Sequence, residues 1–433
     1  MGAPHHQRSE LVLVILFLGL LVAVPASQTW LELRRGERIQ FTDVFRTRPT
    51  AKDLRQYEAT LEGKSWVQQQ ARSLAQEWLF EVARDTGSKA VLGCDQWLFY
   101  RPDVRYLIEP DRPERGFVDS KWVTPVSGTR REAVVRAIAQ FRDQLKERDL
   151  ELLVVPVPGK PSVYPEHVTR RAGAAGASMK SPTVELIAQL NERGIATVDL
   201  FAVFQAQRRR GLDTNGPGQL YLARDTHWTP AGARLAAQAV ARRLGELRWV
   251  APGKAEFALQ TVRVKRRGDI LDMTQIPGMG RAFAPEEVVC EQVRDPVLGP
   301  MVPTASDRPG TYRYPGQTAS VLVLGDSFSR IYQYAEPRSL GELAEPSGER
   351  KELTKRLLPG SAGFIAHLAR ELKAPVDAIV SDGGASTDVR RKLSTNPEIL
   401  ERKKVVIWEF IERDIALGQE GWEPAPLPPK MDS

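Results

Sequence analysis

The chain has 433 residues, 42% hydrophobic and 27% charged, which is enough for a large core or two domains. Its formal net charge of +7 favours acidic partners such as nucleic acid, anionic lipid or an acidic polysaccharide. The sequence has no zinc-ligand cluster, Walker loop or RNA-binding signature, and its basic residues are spread along the chain, which argues against a nucleic-acid partner.

The run LVLVILFLGLLVAVPA, residues 11–26, is apolar and uncharged. It suits the core of a signal peptide cleaved after Val24-Pro25-Ala26. Extended to Leu31 it is long enough to span a bilayer as an anchor. A helix packed in the folded domain is the third reading. The first two make residues 1–31 an export element. Arg8 precedes the run, whereas Arg34, Arg35 and Arg38 follow it, which runs against the usual charge bias across a membrane; an outward orientation is still expected. Cys94 and Cys290 are an even count in a compartment that permits disulfides, so a bridge between them and two buried free thiols both stand as readings.

Residues 32–88 form a membrane-proximal segment, polar and helical in pattern from about residue 45. A domain over 89–414 follows. VLGCDQWLFY, residues 91–100, is expected as its first strand. In REAVVRAIAQFRDQLKER, Val134, Val135, Ile138, Phe141 and Leu145 make one apolar helix face. LELLVVPVPGK is a buried strand with a proline-rich exit, and TVELIAQLNERG and IATVDL repeat the helix–strand alternation. A helix starts near Pro230, with Thr229 as its N-cap. Residues 247–320, rich in Pro, Gly, Arg and Val, break the rhythm and read as a β-rich insertion. VLVLG, VDAIV and VVIWEF complete a parallel α/β sheet with crossover helices, and a proline-rich tail covers 415–433.

Two stretches carry chemistry. In VLVLGDSFSR, residues 321–330, Ser327 follows a buried strand and a Gly325-Asp326 turn. That places it at the carboxyl edge of the sheet, where open α/β folds build their sites; an ordinary turn serine is the alternative. Of five histidines, His5 and His6 precede the apolar run, His167 lies in a loop and His367 lies inside a helix. His227, in RDTHWTPAG, stands two residues after Asp225. A serine nucleophile needs a base for its proton and a carboxylate to hold the imidazole, and Asp-x-His supplies both on one loop. The alternative is a turn cap at Asp225 and an exposed His227. A catalytic zinc usually needs three protein ligands with more than one His or Cys, so no metal is expected. Paired-carboxylate chemistry would draw on Asp269, Asp326, Asp382 or Glu409, and nothing in the sequence singles out two of them.

DTHWTPAGA with GDSFS downstream resembles the AlgJ/AlgX-like alginate O-acetyltransferases, a family with an SGNH-hydrolase-like domain. VLGCDQWLFY, VVPVPGKPSVYP, GDILDM and VVIWEF with Arg413 resemble its other blocks, in order, from about residue 45 to 414. The resemblance implies an SGNH-like parallel sheet flanked by helices, with the motifs in permuted order: Asp225, His227, then Ser327. It makes Ser327 the nucleophile, His227 the base and Asp225 the orienting acid, and implies no cofactor. The backbone N–H of Ser327 is one candidate oxyanion donor; a Gly-x-Asn-Asp block is not recognisable, which leaves the second donor open. Tyr332 and Tyr334 lie just beyond Ser327, where they would line the site or pack in the core. Trp408 and Arg413 would contribute to a polysaccharide groove, through ring stacking and a carboxylate pair; a buried strand tryptophan and a surface arginine are the alternative. Lys160 is a weaker case of the same kind, its alternative being the end of a strand. The resemblance also implies an exopolysaccharide acceptor, a membrane-bound O-acyltransferase as acetyl supplier, and a periplasmic location with the inner membrane as anchor. A carbohydrate esterase or deacetylase with the same triad, and a non-catalytic polysaccharide-binding protein of a secretion complex, are the other readings.

Overall fold

The computed structural model describes residues 4–39, 50, 54, 57, 65–109, 130–174, 180–211, 218–295, 299–300, 304–305, 311–313, 319–333, 361–417 and 421–429. The chain divides into two compact units, one holding residues up to Asp85 together with Ile276–Gly278, the other holding most of the remainder from Thr86. In the first, α1 (Pro4–Arg34) runs unbroken through Pro25. Leu13, Phe17 and Leu21 on it are exposed, and its stretch from Leu13 to Arg34 is long and apolar enough to cross a membrane. Helix α2 spans Trp66–Ala83, and the backbone N–H of Trp66 donates to Gln28 Oε1 at 3.0 Å. Most of the sequence between residues 45 and 65 lies outside the described residues.

The second unit opens with strands β1 (Ala90–Leu92) and β2 (Leu98–Tyr100), paired antiparallel. The expected single strand over 91–100 is therefore a hairpin. Asp95 and Gln96 take positive φ of 53° and 61°, which turns the chain back on itself. Then come α3 (Arg101–Ile108), α4 (Arg130–Lys146), β3 (Glu151–Val157), α5 (Thr183–Glu192), β4 (Ala196–Thr197), α6 (Leu200–Arg209) and α7 (Pro230–Glu246). On α4, Val134, Ile138, Phe141 and Leu145 are buried, as the apolar spacing predicts. On α7, Pro230 takes the first position and Thr229 Oγ1 accepts from Gly232 N–H at 3.2 Å.

The region 247–320 contains β5 (Ala258–Arg266), the short helix α8 (Asp269–Thr274), β6 (Glu286–Asp295), β7 (Gly299–Pro300), β8 (Thr304–Ala305) and β9 (Thr311–Arg313). β5, β6 and β7 make a separate antiparallel sheet. β8 and β9 instead add an antiparallel edge to the main sheet, so the insertion is joined to the sheet it interrupts.

Next are β10 (Val321–Gly325), α9 (Ser327–Arg330), α10 (Phe364–Leu372), β11 (Val376–Val380), α11 (Asp388–Ser394) and β12 (Val405–Ile411). The main sheet runs β4-β3-β12-β10-β11-β9-β8, with its first five strands parallel. Val321 stands beside both Val376 and Val405. Every residue of β10, β11 and β12 is buried, because helices cover both faces of the sheet. The alternation along each strand divides the core in two. Val321, Val323, Ile407 and Val155 pack with Trp228 and Phe328 on one face, and Leu322, Leu324, Trp408 and Phe410 pack on the other.

Candidate active site

Ser327 stands where β10 ends. Asp326 caps the short helix behind it: its Oδ1 accepts from Phe328 N–H at 2.8 Å and its Oδ2 from Ile411 N–H of β12 at 2.9 Å. Glu409 Oε2 accepts from Ser329 Oγ at 2.6 Å and from Asp326 N–H at 3.2 Å. A side chain at position 325 would meet Ser329 Oγ at 2.3 Å and Glu409 Oε2 at 2.7 Å, so only glycine fits under the turn. Burial raises the pKa of Asp326. Burial and the neighbouring Asp326 charge push Glu409 well above the carboxylate range. Ser327 itself stays half-buried and reachable.

The loop 222–227 is closed by a bridge between Tyr221 and Trp228 and by Leu222 N–H donating to His227 O at 3.2 Å. Trp228 Nε1 donates to Phe328 O at 3.1 Å, which ties this loop to the serine turn. The result is one continuous relay. His227 Nε2 is 2.8 Å from Ser327 Oγ, and His227 Nδ1 is 2.7 Å from Asp225 Oδ1. Asp225 Oδ1 also accepts from His227 N–H at 3.0 Å, while its Oδ2 accepts from Arg266 Nε at 2.7 Å and Asp269 N–H at 3.0 Å. A carboxylate on Nδ1 keeps that proton there and leaves Nε2 to face the serine hydroxyl.

The electrostatics follow from these contacts. Burial opposes the charge on Asp225, but the Arg266 guanidinium and His227 hold it well below the usual carboxylate range. Burial likewise opposes a charged His227, yet the hydrogen bonds and charges of Asp225 and Asp269 raise it to about 9. Asp225, His227 and Asp269 bring three metal-ligating atoms together, all within 4.8 Å. Hydrogen-bond donors already occupy both Asp225 oxygens, and the His227 nitrogens face Asp225 and Ser327. These contacts take up the lone pairs that a cation would need.

Lys160 is fully buried. Its ammonium donates to the carbonyl oxygens of Leu222 (3.0 Å), Ala223 (3.1 Å) and Asp225 (2.6 Å), so it braces the loop that carries the histidine rather than lining a groove. Burial lowers its pKa to about 8, against the charges of Glu286 and Asp225. Glu412 anchors the turn before it, accepting from Gly159 N–H at 2.6 Å, Thr183 Oγ1 at 2.9 Å and the hydroxyls of Ser162 and Ser181. On the other side of the loop, Glu286 accepts from Ala223 N–H and Arg224 N–H, both at 2.7 Å.

Of the expected groove residues, Trp408 and Tyr332 are buried in the core. Trp408 is fully buried on the sheet face away from Phe328, with Nε1 donating to Ala385 O at 2.8 Å and rings of Phe141, Phe410 and Trp422 around it; no sugar can stack there. Tyr332 is fully buried, at φ +63°, and donates to Trp228 O at 3.0 Å, which makes it a clamp on the histidine loop. Tyr334 lies outside the described residues. Arg413 is not a surface residue: it pairs with Asp103 at 2.9 Å and lies over the rings of Tyr100 (5.3 Å) and Phe328 (5.9 Å). Cys94 and Cys290 are free thiols, so the bridge is not formed. Cys290 sits in the buried middle of β6 opposite Val262, while the Cys94 N–H bonds His167 O in the hairpin turn. Of four further residues around the site, sequence patterns pick out neither Arg266 nor Glu286, and offer Asp269 and Glu409 only as carboxylates of a paired-acid alternative. Arg266, Asp269 and Glu286 all come from the insertion, and Glu409 comes from β12. The GDILDM block marked Asp269 as notable, with no sign of its neighbour.

The family model described as SGNH hydrolase-like domain, acetyltransferase AlgX, matches residues 90–412. The probable alginate O-acetylase AlgJ of Pseudomonas syringae pv. tomato is 24% identical over 339 residues, covering 77% of this chain and 71% of that protein. The protein of the same name from Pseudomonas aeruginosa is 23% identical over 336 residues, covering 76% and 71%. The solved O-acetyltransferase domain of Pseudomonas putida AlgJ aligns with a TM-score of 0.49 at 21% identity, covering 76% of this chain and 92% of that one. With three quarters of its length matched by that family model, this chain belongs to the AlgX family of SGNH hydrolase-like acetyltransferases.

Proposed function

We propose that this acetyltransferase moves acetyl groups onto hydroxyls of an alginate-like exopolysaccharide through Ser327, His227 and Asp225. The observation that carries the reading is the unbroken relay, 2.8 Å from Ser327 Oγ to His227 Nε2 and 2.7 Å from His227 Nδ1 to Asp225. Ser327 Oγ attacks the carbonyl carbon of an acetyl donor while its proton passes to His227 Nε2. The tetrahedral oxyanion collapses, the donor oxygen leaves with that proton, and Ser327 is left acetylated. A sugar hydroxyl then gives its proton to His227 and attacks the acetyl-serine, releasing the acetylated sugar and free Ser327.

The acceptor class follows from the relatives, which are named as alginate O-acetylases, and from the net charge of +7, which suits a polyuronate. We assign residues 1–31 to an anchor in the inner membrane, 32–88 to a membrane-proximal segment, 89–414 to the catalytic domain including the insertion, and 415–433 to a tail. The site then faces the periplasm, and a membrane-bound O-acyltransferase supplies the acetyl group. The exposed apolar face of α1 supports the anchor.

The test gives the purified protein an acetyl ester donor with and without an oligouronate acceptor, beside Ser327→Ala. Acetylated oligosaccharide from the wild type alone is the expected result. Acetate release that ignores the acceptor makes the protein an esterase, and transfer that survives Ser327→Ala removes the nucleophile.

A further inference from the structure

The relay has a second carboxylate. Asp269 Oδ2 lies 3.3 Å from His227 Nδ1, on the same side of the ring as Asp225. Thr226 holds it there: Thr226 N–H donates to Asp269 Oδ1 at 2.7 Å and Thr226 Oγ1 donates to Oδ2 at 2.6 Å. The backbone N–H of Asp269 donates in turn to Asp225 Oδ2 at 3.0 Å. One residue from the insertion thus touches both the base and its orienting acid. Gly268 makes the approach possible. It adopts φ +98°, and a side chain there would come within 2.3 Å of Arg224 O.

Charge counting says why a second carboxylate matters. Arg266 sits on Asp225 at 2.7 Å, with both side chains almost fully buried, so the charge of Asp225 is largely spent on the guanidinium. When His227 takes the proton of Ser327, the unspent negative charge nearest to the imidazolium is that of Asp269. The other charges facing the ring are Asp326 behind the serine turn and the Lys160 ammonium on the Asp225 carbonyl.

We propose that Asp269 is a positioning residue of the transfer reaction, a second counter-charge that shares with Asp225 the imidazolium formed when Ser327 gives up its proton. The inference rests on the triad reading above and adds to it a residue outside the triad. It makes the insertion part of the catalytic apparatus, since both Arg266 and Asp269 come from it. The raised His227 pKa is what such an arrangement produces.

The test titrates His227 in the full chain in detergent, by NMR of labelled histidine with His227→Gln to assign the signal, alongside burst acylation by p-nitrophenyl acetate. Asp269→Asn is expected to lower the His227 midpoint by about one pH unit or more, to slow the burst at its high-pH plateau roughly tenfold, and to move the burst's pH profile with the midpoint. Asp269→Glu, which keeps the charge, should restore most of both. If Asp269→Asn does not fold, Thr226→Val, which removes the hydroxyl that holds Asp269 Oδ2 beside His227 and keeps the backbone bond to Oδ1, is expected to lower the midpoint in the same direction. A His227 midpoint that stays put in a folded Asp269→Asn, or in Thr226→Val where that stands in, overturns the proposal. A burst that survives Ser327→Ala removes the triad reading instead, so the two failures are told apart.

Discussion

His227 Nε2 and Ser327 Oγ, one hundred residues apart in the chain, stand 2.8 Å from each other at the carboxyl edge of a parallel sheet. The contact depends on two anchors, and one of them is the Tyr332 hydroxyl, which donates to Trp228 O at 3.0 Å. Trp228, next to the histidine, bonds the carbonyl of Phe328, next to the serine. Replacing Ser327 with Ala removes the oxygen proposed to attack and leaves both anchors in place. Burst acylation by an acetyl ester is expected to fall roughly a thousandfold or more, with the thermal midpoint nearly unchanged. A stopped-flow burst assay beside a melting curve checks both.

Activity and stability should respond to pH in opposite directions. The folded state favours the His227 imidazolium, so its contribution to stability is full below about 6.5 and is lost as pH rises through about 9. Deprotonation of Ser327 needs neutral Nε2, so the burst rate climbs over the same range. Lys160 acts the other way on stability. Its folded pKa of about 8 against an ordinary 10.5 means that the penalty of burying its charge is relieved as pH rises from 8 to 10.5. Melting curves from pH 6 to 10 should therefore show a decline to about 8, a plateau to about 9 and a partial recovery above it. His227→Gln should flatten the early part of that decline.

Lys160→Met should be costly in both fold and function. The substitution leaves three carbonyl oxygens, those of Leu222, Ala223 and Asp225, without their ammonium. A loss of about 3–5 kcal/mol is expected, as for a broken buried charged contact. Lys160→Arg should not rescue it, because a planar fork cannot meet three carbonyls from the position of a point charge. Chemical denaturation gives the stability, and the burst assay shows whether the loosened loop still aligns His227.

Gly268→Ala tests how tightly the insertion grips the loop. At φ +98° an L side chain costs about 1–2 kcal/mol before any clash, and its Cβ would press on Arg224 O. The expected result is a lower melting point together with a lower acylation rate, since Arg266 and Asp269 flank this glycine.

Trp408→Ala separates a core role from a sugar-binding one. Buried among Phe141, Phe410 and Trp422, the ring should cost about 3–5 kcal/mol on removal. Trp408→Phe should fold with most of that stability kept. Its KM for an oligouronate acceptor is expected to match the wild type, and a several-fold rise would return Trp408 to the acceptor groove.

Local patterns carried much of this protein into plain view. The alternation of apolar strands with amphipathic helices is a property of neighbouring residues, and so are the Thr229-Pro230 helix start and the Asp-x-His spacing. Each of these depends on forces that act within a few residues. Gly325-Asp326 before Ser327 is of the same kind, because the turn needs a residue without a side chain and a capping carboxylate at that point.

What the chain alone left undecided was which face and which partner. In VVIWEFI, alternation shows that Trp408 and Ile407 point to opposite sides of the sheet, yet either side could have held the site; only the packing of Phe328 and Trp228 on the Ile407 side decides it. Arg413 reads in the chain as a surface or groove arginine, and only the fold sets Asp103, from α3, against it. Arg266 and Asp269 reach the Asp225–His227 loop from a region whose pattern showed only strands and turns, and Lys160 reaches it from the end of β3. The sequence by itself determined which chemistry was available: one serine after a strand, one histidine beside an aspartate. The tertiary structure decided how basic that histidine is. Basicity is set by charges within a few ångströms in space, and distance along the chain carries no record of them.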